Sequence, residues 1–174
     1  MGFLRQPLFL VSLTRQDRLG KGVFMNYSEL LQYQGYIYLN SIFEPEDNTL
    51  IVDIDCCKIN GISAGQNDTS SSYGSIKVDD TLPIIRLKFD WYIAYSVRNE
   101  SFTAMDEYEI YEGRGFSLYS KSRYLDFIEV GTIAEDMYIG PFKHYGINAL
   151  NHIIDVVSSE PPTISEIQRN GQQE

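Results

Sequence analysis

The sequence predicts an α+β fold that is mainly antiparallel β. The expected form is a single curved sheet, or a sandwich or partial barrel, with one or two helices packed late in the chain. Three observations carry this. Ile84 to Arg98 carries seven consecutive apolar residues at period two, from Ile85 to Val97, and Leu50 to Ile59 alternates over a shorter span. Only the stretch from Ser122 shows a clear apolar stripe at helical spacing.

Residues 1–24 carry Arg5, Arg15, Arg18 and Lys21 against Asp17, a net of +3; with -10 overall, residues 25–174 carry -13. This segment reads as a basic N-terminal extension or arm, and Asn26 to Leu31 as the start of ordered structure. Gly35 to Phe43 is rich in Tyr and Ile and predicts a strand. In Leu50 to Ile59, Leu50, Val52, Ile54 and Cys56 face one way, and Ile51, Asp53, Asp55, Cys57 and Ile59 the other. Asn60 to Gly74 collects Gly, Ser, Asn and Asp and predicts a long loop.

Ile84 to Arg98 places Ile85, Leu87, Phe89, Trp91, Ile93, Tyr95 and Val97 on one face. As a straight strand it would span roughly 50 Å at about 3.3 Å per residue, far beyond the usual length. It must bend, bulge or pass between two sheets, with Asp90 as the expected place. Tyr108 to Tyr111 and Phe116 to Tyr119 predict two strands joined by a hairpin at Glu112-Gly113-Arg114-Gly115. From Ser122, Tyr124, Leu125, Phe127 and Ile128 form the stripe of a helix that Gly131 ends, and Thr132 with Glu135 resembles a capping box for a further turn. Phe142 to Ser158 fits either structure. The β-branched run Ile153-Ile154-Asp155-Val156-Val157 favours strand. The globular domain is expected over 25–160, with 161–174 a flexible polar tail.

Fourteen Lys+Arg against 24 Asp+Glu argues against nucleic acid, whose affinity comes from cations on phosphates. No basic cluster marks an anionic membrane surface, and no run nears the roughly 18 apolar residues of a membrane helix. Pro7 to Leu13 is too short, and lacks the cleavage site, for a signal peptide. Adjacent Cys56 and Cys57 imply no staple, so a reducing cytoplasm is the default; the sequons at Asn26, Asn67 and Asn99 matter only on a secretory route.

Four groups of residues are candidates for chemistry. Asp53 and Asp55 share a strand face and could hold a divalent cation with Asp79 or Asp80, although the ordinary reading is a solvated face. His144 and His152 are the only histidines, and a helix would pair His152 with Asp155 whereas a strand would separate them. Their spacing matches no zinc signature, and a hydrogen-bonded structural histidine is the simpler reading. Cys56 and Cys57 alternate between the two faces of their strand. No Gly-x-Ser-x-Gly elbow and no complete dinucleotide fingerprint occurs. Thirteen tyrosines, among them Tyr36, Tyr38, Tyr108 and Tyr111, suit a recognition surface as well as sheet packing.

The expectation is therefore a non-catalytic acidic interaction protein, of the inhibitor or immunity type, that binds a basic partner protein and needs no metal or cofactor. A small metal-dependent or His/Asp hydrolase and a small-molecule-binding β domain are the alternatives. A dimer through a free sheet edge is compatible with either, although Arg86, Lys88 and Arg98 oppose uncontrolled edge pairing.

Overall fold

Period-two alternation becomes two antiparallel sheets facing each other across one core. The computed structural model describes residues 26–60, 74–104, 106–134 and 140–169. Along the chain lie α1 (Tyr27–Leu30), β1 (Ile37–Glu46), β2 (Thr49–Asn60), β3 (Ser75–Val78), β4 (Ile84–Asp90) and β5 (Tyr92–Asn99). After a 3-10 turn at Glu100–Phe102 come β6 (Ile110–Gly113), β7 (Phe116–Lys121), α2 (Arg123–Gly131), β8 (Lys143–Asn148), β9 (His152–Ser158) and β10 (Thr163–Ile167). The first sheet has the order β1-β2-β4-β10, with β3 on the far end of β2; the second has the order β5-β9-β8-β7-β6. The basic segment 1–24, the loop residues 61–73 and Glu135 of the expected capping box lie outside the described residues.

The core forms where the inward faces meet. Leu50, Val52, Ile54 and Cys56 of β2 and Ile85, Leu87 and Phe89 of β4 pack against Phe116 of β7, Tyr145 and Ile147 of β8, and Ile154 and Val156 of β9. Phe89 meets Tyr145 edge-on across the layers, with ring centroids 5.6 Å apart. At one end the turn between β8 and β9 bonds to β1: Leu150 N donates to Ile37 O (2.9 Å), and the Asn151 amide accepts from Leu39 N (2.9 Å) and donates to Leu39 O (3.2 Å). That closes part of an edge that would otherwise invite strand pairing.

The long alternating run does pass between the sheets. β4 belongs to the first sheet and β5 to the second, and the corner is Trp91, one residue beyond the expected Asp90. Only the first half of the predicted apolar face is core: Ile85, Leu87 and Phe89 are buried, whereas Trp91, Tyr95 and Val97 are exposed. The turn of the chain at Trp91 swings that face toward the rim of the sandwich.

Gly113, at φ +94°, supplies the positive φ of the β6–β7 hairpin. α2 begins at its N-cap Ser122, whose hydroxyl accepts from Leu125 N (3.0 Å), and it buries Ile128. The ambiguous stretch is strand throughout, broken into β8 and β9 by the turn at Ala149–Asn151. The expectation of a flexible tail over 161–174 fails at 163–167, which form a strand, and its residues 170–174 lie outside the described residues. Beyond Pro161-Pro162, β10 pairs with β4, Ile164 opposite Leu87, and Ile164 is buried. Two isoleucines, Ile164 and Ile167, in a short polar segment are enough once a free strand edge lies beside them.

Candidate functional site

Asp53 and Asp55 do not form a solvated face. They lie on β2 between β1 and β4, and both are buried. Register places Arg86 of β4 opposite Asp53, and its guanidinium grips the carboxylate at two points, Nε to Oδ1 at 2.7 Å and the terminal nitrogen to Oδ2 at 2.8 Å. Ser41 donates a third bond at 3.1 Å. Asp55 is held by Asn40 (3.0 Å) and by Arg169, just beyond β10. Asp79 is engaged elsewhere: Thr81 and Lys58 hold its carboxyl below the usual value. No group of three His, Cys, Asp or Glu is placed to hold a metal ion among the described residues. Burial raises both thiols, that of Cys57 to about 11, so neither is a thiolate at neutral pH.

Strand geometry separates His152 from Asp155 and gives Asp155 to His144 instead. His144 Nε2 lies 3.0 Å from Asp155 Oδ1, and His144 Nδ1 lies 2.8 Å from Ser122 Oγ. A carboxylate only accepts, so Nε2 carries a proton toward Asp155, and Nδ1 shares the second bond with the Ser122 hydroxyl. The three residues have the composition of a catalytic triad but not its access: Ser122, His144 and Asp155 are 0%, 1% and 2% exposed. Tyr119 stacks on the imidazole at 4.1 Å and Tyr124 meets it edge-on at 5.5 Å. Gly146 permits the stack, because a Cβ there would stand 2.7 Å from the Tyr119 ring. This arrangement pins α2 to the second sheet. The sequence marks Ser122 as the start of a helix, but its cap role and its bond to His144 come only from the structure.

The four candidate tyrosines are not brought together. Tyr36 precedes β1 and stacks under Arg114 (5.6 Å), and Tyr38 lies on β1 opposite Asp55. Tyr108 donates to Asp126 (2.7 Å) and carries Lys121 and Arg123 over its ring at 3.8 and 4.6 Å. Tyr111 stands beside Tyr119, with centroids 4.9 Å apart.

Exposed aromatic and acidic side chains occur near the corner between the sheets, which the sequence marks only as a bend. Trp91 is 75% exposed and sits at φ +58°. Its amide donates to Asn48 O (2.8 Å), in the β1–β2 turn, where Asn48 is also at positive φ, +63°. Phe43 and Tyr95 are exposed as well, and Tyr92 packs edge-on to Tyr95 at 5.2 Å. Glu44 accepts from the Tyr95 hydroxyl (3.0 Å), and burial together with the Glu44 charge pushes the Tyr92 phenol up to about 12. Glu46, Asp47 and Asp90 complete an exposed acidic rim, in which Lys88 is tied to Asp90 at 2.9 Å.

No protein-family model matches this sequence, and no curated protein and no solved structure matches it either.

Proposed function

We propose that this chain is a non-catalytic interaction protein that captures a basic partner protein through the corner carrying Trp91. It would act as small acidic inhibitors do, covering the cationic surface of their target. The observation that carries the reading is the exposed indole at positive φ inside an acidic rim. A bulky residue in that backbone region is strained, and such strain concentrates at functional positions. Tryptophan is enriched among residues that dominate binding energy, and Glu44, Glu46, Asp47 and Asp90 supply the complementary field. Free Cys56 and Cys57 suit a reducing compartment. The hydrolase alternative has less support, since Ser122 and His144, its nucleophile and base, are 0% and 1% exposed.

The test uses Trp91 itself, the sole tryptophan of the chain. At low salt the tagged protein should retain a stoichiometric basic protein from native lysate and release it at high salt. Adding that purified partner should shift the indole emission. Trp91→Ala should weaken the complex by about two orders of magnitude, the usual loss at a hot spot, and the Glu46→Lys/Asp47→Lys double variant should slow association. A complex insensitive to salt and to both variants overturns the proposal.

A further inference from the structure

The outer face of the second sheet is covered only in part by α2 and residues 100–104 and 106–109, which leaves a cleft of about 750 Å³. That lies within the roughly 300–1,000 Å³ typical of small-ligand sites. We infer that this cleft binds a cation on an apolar stem, a guanidinium or ammonium group, between its tyrosine faces and the Asp155 carboxylate. The site is separate from the Trp91 corner and does not depend on it.

Charge sets the sign of the ligand. The lining holds Glu100, Asp106, Glu109 and Asp155 against Arg98 and Arg123. Arg123 is bound to Asp106. Glu100 and Glu109 make no side-chain hydrogen bond or ion pair among the described residues, so the cleft keeps an uncompensated negative charge. An anion would have to strip both arginines of their carboxylates.

The walls suit the same ligand. Tyr111, Tyr119, Tyr124 and Phe127 line the cleft, and aromatic faces attract cations. At the floor, Asp155 accepts from His144 at 3.0 Å and Ser96 at 3.3 Å. Arg98 stands farther off, at 3.5 Å, with its side chain 49% exposed. That separation is long for a charge-assisted hydrogen bond. Asp155 is 2% exposed with Arg98 in place, so Arg98 acts as an internal placeholder and a ligand cation reaches Asp155 only by taking its position.

Amide and indole NMR on the whole chain tests this. The probes are Nα-acetyl-arginine methylamide, the corresponding citrulline derivative, benzamidine, a Gly-Arg-Gly peptide and inorganic phosphate. The cationic probes should saturate shifts at Ser96, Arg98 and Tyr111 while the Trp91 indole signal stays fixed; citrulline should not. Glu109→Gln should weaken binding about three- to tenfold. Arg98→Gln should tighten it several-fold, the opposite of what an anion site requires. Tighter binding of the peptide than of benzamidine assigns the cation to a protein side chain, and the reverse order assigns it to a free small molecule. The inference falls if no cationic probe saturates, if citrulline binds equally well, or if phosphate binds and Arg98→Gln abolishes that binding. Shifts confined to the indole also defeat it, and they leave the corner proposal standing.

Discussion

At Trp91 the backbone and the side chain make opposing demands. The left-handed conformation costs an L residue about 1–2 kcal/mol, and an indole that is 75% exposed recovers little of that by burial. Trp91→Gly removes the strain, while the added freedom of the unfolded chain costs about 0.5–1 kcal/mol. The variant is expected to be as stable as the wild type, or up to about 1 kcal/mol more stable, while losing the basic partner. Urea denaturation decides: a loss above about 2 kcal/mol would mean that the indole serves packing rather than recognition. Single residues were only partly legible in the sequence. The shared face of Asp53 and Asp55 follows from strand alternation, but their neutralisation depends on Arg86 and Arg169, placed by strand register and by a segment that composition assigned to a tail. The same holds for Ser122, His144 and Asp155, which come from three elements.

Elements were more legible than contacts because periodicity is local information. The run from Ile84 to Arg98 is too long for one strand; that excess calls for a bend, a bulge or a crossing between sheets near Asp90, and it is a crossing, one residue beyond. β10 escaped because Thr163-Ile164-Ser165-Glu166-Ile167 offers few apolar positions and follows two prolines. Its stability comes from the waiting edge of β4 rather than from its own propensity. Ile164, 4% exposed, faces the core from this edge. Ile164→Asp should therefore cost more than about 3 kcal/mol, combining lost apolar burial with a carboxylate driven into the core. It should also raise hydrogen exchange along β4. A variant as stable as the wild type would show that β10 is dispensable.

Across the whole molecule, the buried tyrosines also set its limit in alkali. Burial raises the phenols of Tyr27, Tyr33 and Tyr119 well above the ordinary value of 10.0. Tyr145 is pushed up to about 12, by burial first and then by the charge of Glu160. Below pH 10 these groups are protonated in both states and their contribution to stability is complete. As pH rises past 10 the unfolded chain releases protons that the folded chain retains, so stability falls until the folded values are reached. Asp79 and Asp106 act on the opposite flank: their lowered carboxyls favour the fold above the ordinary value of 3.8, and that share is lost as pH falls through the folded values. Unfolding free energy should therefore drop steeply between pH 10 and 12, within the interval the Tyr145 phenol spans. Tyr145→Phe keeps the ring that meets Phe89 and Tyr27 but removes one of the titrating groups. It should match the wild type at pH 7 and lose stability less steeply above pH 10. Denaturant titrations at a series of pH values, read beside phenolate absorbance, check both halves, and parallel curves for the two proteins would refute the assignment.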